Sequence, residues 1–75
     1  MTPKPPLVSG KTIVKAFHRI GYRIVSQRGS HIKIRNDATD STLIIPDHKE
    51  VDRWTLKSIL RDAEIPVDQF IRLLK

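Results

Sequence analysis

The apolar residues of the chain first recur at the spacing of an amphipathic helix. Between residues 10 and 20 they fall at i, i+3, i+4 and i+7, which places them on one stripe of a helix. The stripe consists of Ile13, Ala16, Phe17 and Ile20. Ser9 stands where an N-cap is expected, and Gly21 supplies a left-handed stop. The pattern therefore predicts a first helix over residues 10–20.

The same spacing returns twice in the second half of the chain. The second stripe consists of Leu56, Ile59, Leu60 and Ala63. Thr55 is the predicted cap of this second helix, and residues 47–54 before it lack a regular pattern, which indicates a loop. Pro66 ends the second helix because proline has no backbone N–H to donate. The residues that indicate a last short helix are Val67, Phe70, Ile71 and Leu74.

Between the first two helices the pattern changes to alternation. Residues 22–28 and 31–36 are β-rich runs separated by Gly29-Ser30, which is a two-residue hairpin signal. A type II′ turn is expected, with the glycine at positive φ. Because successive side chains of a strand point to opposite faces, the second run divides into two sets. Ile32 and Ile34 lie on one face, and the other face carries His31, Lys33 and Arg35.

A third strand is predicted over residues 42–45, after a polar turn at residues 37–41 and before Pro46. Its alternation places Leu43 and Ile45 on the apolar face. Ile44 is then an apolar residue on the otherwise polar face.

The predicted order is helix, three-stranded antiparallel meander, helix, short helix. Two helices packed on one face of such a sheet form a two-layer α+β domain, which leaves the opposite sheet face in solvent. The predicted core is Ile13, Phe17, Ile20, Ile24, Ile32, Ile34, Leu43, Ile45, Leu56, Ile59, Leu60 and Phe70. Residues 1–8 are predicted to be a proline-rich flexible leader, and residues 9–75 a single domain.

Composition and charge narrow the classes of function. A chain of 75 residues forms one small core, so an enclosed substrate pocket is not expected. It has no cysteine and no apolar run long enough for a signal peptide or a membrane span, which predicts a cytoplasmic protein. Residues 1–36 contain eight cations and no acid, whereas residues 37–75 contain six cations and all eight acids. This asymmetry favours a polyanionic partner such as nucleic acid, although ordinary charge for solubility is the alternative.

The candidate chemistry lies in and around the hairpin. His31 is the only side chain there that titrates near neutral pH, and alternation places it beside two fixed cations, Lys33 and Arg35. Arg28, just before the turn, is a further candidate source of positive charge. Such a group suits a phosphate-binding site, and the alternative is a surface hairpin with ordinary charges. A second basic feature is the row Lys11, Lys15 and Arg19 at spacing four on the first helix, which is either a phosphate-binding row or a solvated face.

Several short motifs occur together in a characteristic order. They are Ser9-Gly10-Lys11, Gly21-Tyr22, Gln27-Arg28-Gly29-Ser30-His31, Pro46-Asp47-His48, and the run from Thr55-Leu56-Lys57-Ser58 to Ile59-Leu60-Arg61-Asp62-Ala63. In this order and spacing the chain resembles the HicA-like mRNA interferase toxins of bacterial toxin–antitoxin pairs. It departs from the pattern of that family at Arg53-Trp54, where Pro-Gly is usual, and at Glu64, where a glycine is usual.

The resemblance implies a fold, an activity and a partner. The fold is like that of a double-stranded-RNA-binding domain. The activity is that of an endoribonuclease that cuts mRNA without a metal ion or other cofactor, using the histidine that His31 matches, and the partner is a HicB-like antitoxin. A non-catalytic RNA-binding or protein-interaction module on the same fold is the alternative.

The site is assigned from the residues and the resemblance together. His31 is the predicted general acid or base, because an imidazole transfers protons near neutral pH. The predicted RNA-binding residues are Lys11, Lys15, Arg19, Arg28, Lys33 and Arg35. Ser30 and His48 are candidates for supporting His31. His48 is also a candidate second proton carrier, and the favoured interpretation of it is a structural or loop hydrogen-bonding role. No metal site is expected, because the histidines lack the spacing of zinc ligands. Trp54 is a candidate anchor for the antitoxin, with partial burial against the second helix as the alternative.

Overall fold

A computed structural model describes residues 4–75 of the chain. Its elements are α1 (Gly10–His18), β1 (Arg23–Arg28), β2 (His31–Asn36), β3 (Ser41–Pro46), α2 (Arg53–Asp62) and α3 (Val67–Leu73). The strands form one antiparallel sheet in the order β1-β2-β3. The predicted α+β class, with the α-β-β-β-α order of a double-stranded-RNA-binding domain and a short C-terminal helix, is confirmed.

The core lies between the helices and one face of the sheet. Ile34 and Ile45 of the sheet are fully buried, as are Phe17 of α1, Leu56 of α2 and Phe70 of α3. The rings of Phe17 and Phe70 lie with centroids 6.1 Å apart, so α1 and α3 pack through an aromatic pair. Most of the predicted core is confirmed.

Two predicted core residues lie elsewhere. Ile24 pairs with Ile34 and therefore faces the helical side of the sheet, yet it is 55% exposed. It lies on an edge strand, next to a bulge at which the register shifts between Ile24 and Ser26. Ile20 is only partly buried at the margin of the core. The prediction for Ile24 was wrong because strand alternation does not show which strand is at the edge.

Tyr22 belongs to the core instead. Its ring is buried and lies 5.2 Å from the ring of Phe17, between centroids, and its hydroxyl donates to Ser41 Oγ at 2.7 Å. The apolar body therefore packs in the core, while the polar end of the ring has a hydrogen-bond partner. Val51, in the segment between β3 and α2, is also buried and was not predicted.

The helix ends follow local hydrogen bonding. Ser9 caps α1 as predicted, because its hydroxyl accepts the backbone N–H of Thr12 at 3.1 Å. The helix ends at His18, two residues earlier than predicted, and Gly21 follows with φ +105°. Asp52, not Thr55, caps α2: its carboxylate accepts both the backbone N–H and the hydroxyl of Thr55. The loop before α2 therefore ends at Asp52, two residues earlier than predicted.

The start of the described chain is held against α2. Val8 forms an isolated bridge with Val51, and Arg53 Nε donates to the carbonyl of Pro5 at 3.0 Å. Residues 1–3 lie outside the described residues, so a flexible leader over residues 1–8 stays a prediction. No helix within residues 4–75 has the length and apolar character needed to span a membrane.

Three segments meet at one end of the sheet, which we call the turn end. The backbone N–H of Gly10 donates to the carbonyl of His48 at 2.9 Å, and that of Asp47 donates to the carbonyl of Ser30 at 2.7 Å. A Cβ atom at Gly10 would lie 1.9 Å from the Pro46 carbonyl oxygen, so only glycine permits this approach. The start of α1, the end of β3 and the β1–β2 turn are thereby fixed together.

Candidate functional site

The β1–β2 turn positions His31. Gly29 has φ +54°, whereas Ser30 does not have a positive φ, which agrees with the predicted type II′ turn and not with type I′. Arg28, the last residue before the turn, pairs with His31, the first residue after it. The amide of Gln27 donates to the Gly29 carbonyl at 3.3 Å and to Asp47 Oδ2 at 3.2 Å. The turn is therefore held both from within and by the loop after β3.

The sheet register brings side chains of all three strands together on the open face. Arg28 lies opposite His31, Ser26 lies opposite Lys33, and Lys33 lies opposite Ile44. Residues opposite one another share a face, so these side chains converge. They line a shallow depression of about 250 Å³, which we call the His31 patch: Ser26, Arg28, His31, Lys33 and Ile44. All five are exposed, and Ile44 is on the polar face as predicted.

The other end of the open face, beyond Lys33, carries cations that are already paired; we call it the paired end. Arg23 and Arg35 face each other across β1 and β2, and Asp37 bridges them. Its carboxylate accepts Arg35 Nε at 2.9 Å and Arg23 Nη2 at 3.1 Å. Asp40, which has φ +56° in the turn before β3, also pairs with Arg35. Arg35 in addition donates to Thr42 Oγ1 at 3.0 Å.

These contacts change the protonation equilibria of the paired end. The hydrogen bonds with Asp40 and then Asp37 raise the pKa of Arg35 above its ordinary value. The hydrogen bonds from Arg35 and then Arg23 lower the pKa of Asp37. Arg28 and Lys33 make no ion pair with any residue of the described chain. The positive charge of the open face is consequently unneutralised around His31 and largely neutralised around Arg35.

The basic row of the first helix lies in the other layer. Lys11, Lys15 and Arg19 are exposed on α1, whose opposite side carries Ile13 and Phe17 into the core. Lys11 follows Gly10 at the turn end, whereas Arg19 lies at the far end of α1, where its guanidinium donates to the Lys75 carbonyl. The row therefore lies in the helical layer and outside the His31 patch, and Lys15 and Arg19 share a depression with Arg23 and Ile24 at the β1 edge of the sheet.

The two supporting candidates make backbone contacts. Ser30 is exposed, and its carbonyl accepts the N–H of Asp47; His48 is also exposed, and its carbonyl accepts the N–H of Gly10. His18 has a structural contact that its sequence position did not reveal. Its Nδ1 lies 3.1 Å from the Tyr22 carbonyl, and because a carbonyl only accepts, Nδ1 carries the proton.

Trp54 is the largest exposed apolar side chain of the described residues. Its residue is 81% exposed, so the alternative of partial burial against the second helix was wrong. Lys57 Nζ lies 6.0 Å from the centroid of the indole ring. Within residues 4–75, no three His, Asp or Glu side chains are grouped as metal ligands would be.

Comparison with known protein families gives a match that covers most of the chain. The family model described as HicA toxin of bacterial toxin–antitoxin matches residues 10–65, which includes every element from α1 to α2. No curated protein matches the chain. The matched span covers well over half of the sequence and includes the His31 patch. The chain therefore belongs to the family of HicA toxins of bacterial toxin–antitoxin systems.

Proposed function

We propose that this toxin is a cytoplasmic endoribonuclease that cuts mRNA by acid–base chemistry at His31, without a metal ion. The observation that carries the proposal is the His31 patch itself. An exposed imidazole lies beside Arg28 and Lys33, and neither cation has an acidic partner in the described chain. A proton carrier beside unneutralised cations is what cleavage of a phosphodiester requires.

The reaction uses the ribose 2′-hydroxyl as its nucleophile. Neutral His31 takes the 2′-hydroxyl proton while the 2′-oxygen forms a bond to the adjacent phosphorus atom. The bond from phosphorus to the 5′-oxygen breaks, and that oxygen takes a proton from the imidazolium or from water. The products are a 2′,3′-cyclic phosphate and a 5′-hydroxyl, so atoms and charge balance.

Arg28 and Lys33 supply the electrostatic part of the reaction. Negative charge accumulates on the phosphoryl oxygens in the transition state, and preorganised cations stabilise it more than they stabilise the substrate. Arg28 flanks His31 across the β1–β2 pair, and Lys33 follows on the same strand face. Arg35 contributes to the basic face with a charge that it shares with Asp37 and Asp40.

Lys11, Lys15 and Arg19 extend RNA binding beyond the patch, through phosphate contacts that carry no sequence information. Sequence preference is expected to be weak, because the open face of the sheet has no aromatic pair on which bases stack. Ser30 and His48 support the site by fixing the turn end through their backbone contacts.

Membership in a toxin–antitoxin family implies an antitoxin partner. We propose that the partner is HicB-like, acidic, and bound over the His31 patch. An acidic cover would neutralise Arg28 and Lys33 and would also exclude RNA sterically.

The test is cleavage of RNA in EDTA by the wild type, His31→Ala and His31→Gln. Glutamine retains hydrogen-bonding capacity but transfers no proton at neutral pH. We expect the wild type to cleave in chelator and to leave 2′,3′-cyclic phosphate ends. Both variants should lose at least about 10²-fold in rate, which is the low end for general acid–base catalysis, while they keep wild-type RNA affinity.

His18→Gln is the matched control, because it removes a histidine that lies away from the open face. It should cleave like the wild type. Cleavage that depends on added metal, or that survives in His31→Ala, would contradict the role of His31. Protein that binds RNA and never cuts it would support the binding-module alternative.

A further inference from the structure

The outward side of α2 carries an aromatic ring and cations in one line. Trp54, Lys57, Ser58 and Arg61 follow the i, i+3, i+4, i+7 spacing, and we call them the Trp54 stripe. All four are exposed, whereas Leu56, Ile59 and Leu60 on the inner side of the same helix are buried. The packing of α2 therefore does not use the indole ring, which is free to contact a ligand.

The indole ring borders space that a flat group can enter. A depression of about 150 Å³ lies between Trp54 and Pro5, with Arg53 and Lys57 as its other walls. The hydrogen bond from Arg53 Nε to the Pro5 carbonyl holds that proline in place. A second depression, of about 390 Å³, runs along the four residues of the stripe. The ring is thus accessible beside an apolar wall, with cations next to it.

Charge decides what kind of ligand fits the stripe. Arg53, Lys57 and Arg61 make no ion pair with any residue between 4 and 75. The nearby Asp52 is occupied by its two hydrogen bonds with Thr55. A tryptophan that anchors a protein partner is usually ringed by residues that exclude water, whereas Trp54 is ringed largely by cations. An aromatic ring on which a base can stack, next to cations without acidic partners, is typical of proteins that bind single-stranded nucleic acid.

We propose that the Trp54 stripe is a second RNA contact, in which one base of a single-stranded segment stacks on Trp54 while neighbouring phosphates bind Lys57 and Arg61. Lys57 and Arg61 are one helical turn apart, about 6 Å along the axis, so they reach phosphates on the same strand. The contact lies in the helical layer, outside the His31 patch. It rests on the proposed function for the identity of its ligand, which is RNA.

The chain contains one tryptophan, so its fluorescence reports on the stripe alone. We would titrate the His31→Gln protein, which keeps the RNA intact, with a single-stranded oligouridylate. Inorganic polyphosphate serves as a polyanion without bases. The oligouridylate should quench the fluorescence as it binds, because a base stacks on the ring, and polyphosphate should bind without comparable quenching. RNA that binds to saturation without quenching would overturn the proposal.

Variants give an independent readout. Trp54→Ala should bind the oligouridylate roughly 5- to 150-fold more weakly, the range for loss of one stacked base, and Trp54→Phe should recover part of the affinity. Lys57→Ala with Arg61→Ala should flatten the dependence of log affinity on log salt by about 1.4. Leu7→Ala is the control for removal of an exposed apolar side chain, and Arg72→Ala is the control for removal of an exposed cation that pairs with Asp68.

The outcomes separate this proposal from the proposed function. If the wild type cleaves in EDTA but Trp54→Ala binds RNA normally, the second contact is absent and the ribonuclease proposal stands. If Trp54→Ala keeps RNA affinity and loses affinity for the antitoxin, the stripe is a protein interface and the proposal is overturned. If RNA quenches Trp54 but no cleavage occurs, the second contact stands without the activity.

Discussion

The two faces of β2 carry different kinds of residue and make different kinds of contact. Ile32, Ile34 and Asn36 point toward the helices and are buried, and Asn36 is satisfied by hydrogen bonds with the Ile20 carbonyl and the Ala38 N–H. On the opposite face lie His31, Lys33 and Arg35, of which the first two are exposed. One strand thus supplies both the core and the candidate site, and alternation keeps the two apart.

The open face is itself divided along its length. At the turn end, Arg28 and Lys33 have no acidic partner in the described chain, whereas at the paired end Asp37 and Asp40 neutralise Arg23 and Arg35. Both ends have similar numbers of cations, so a count of basic residues does not separate them. The candidate site differs from the paired end because its cations, Arg28 and Lys33, form no ion pair in the described chain and lie beside the imidazole of His31.

The largest expected effect concerns the difference between the two faces. Ile34→Ala should destabilise the domain by about 2–5 kcal/mol, because it leaves a cavity beneath the helices, and a domain of this size has little stability to spare. Lys33→Ala, one residue away on the open face, should leave the thermal midpoint nearly unchanged while it weakens RNA binding. Thermal unfolding followed by circular dichroism measures the first effect. Similar midpoints for the two variants would contradict the placement of the core.

The sequence was sufficient to predict this division between faces. Alternation in β2, the helical stripes of α1 and α2, the cap at Ser9 and the turn at Gly29 are all local patterns, and local patterns depend on few contacts. The position of His31 after a tight turn followed from the same patterns. For these parts of the fold and of the candidate site, the prediction from the sequence and the structure agree most closely.

The remaining features depend on contacts between distant residues or on competing local choices. Ile24 is exposed because β1 is an edge strand with a bulge, and neither property is visible in the alternation of residues 22–28. Thr55 was the predicted cap of α2 and Asp52 is the observed one; both residue types are good N-caps, so residue type alone does not decide between them. The sequence analysis treated Arg35 as a cation available to bind phosphate. The turn before β3 instead brings Asp37 and Asp40 into ion pairs with it, and the sequence pattern does not show the conformation of that turn.

The next effect tests the two ends of the open face with matched pairs of substitutions. Arg28→Ala with Lys33→Ala should weaken RNA binding and flatten the salt dependence by roughly 1.4 to 1.8, as expected for two lost phosphate contacts. Arg23→Ala with Arg35→Ala removes the same charge but should flatten it by less than half as much, since these cations are engaged by acids. Fluorescence anisotropy of labelled RNA at several salt concentrations, with His31→Gln protein, measures both slopes. Equal slopes for the two variants would mean that pairing does not distinguish the ends.

The smallest expected effect comes from a variant in which the paired end is made to resemble the turn end. Asp37→Asn with Asp40→Asn frees Arg23 and Arg35, so RNA affinity should rise and the salt dependence should steepen by at most about 1.4 to 1.8, the value for two added phosphate contacts. Unchanged RNA affinity in this variant would show that the paired cations do not face the bound RNA.

The same double variant should lose a pH-dependent part of its stability. The arginines hold the pKa of Asp37 below its ordinary value of 3.8, so the folded state binds the proton less readily than the unfolded state. This contribution is present at neutral pH and is lost as the pH falls through the lowered pKa. The wild type should therefore be slightly more stable than the variant at pH 7, and the two should converge as the pH falls from 3.8 through the lowered pKa of Asp37. Thermal midpoints measured from pH 7 down to pH 2 give the comparison, and a gap that does not shrink as the pH falls below 3.8 would rule out ionised Asp37 as its source.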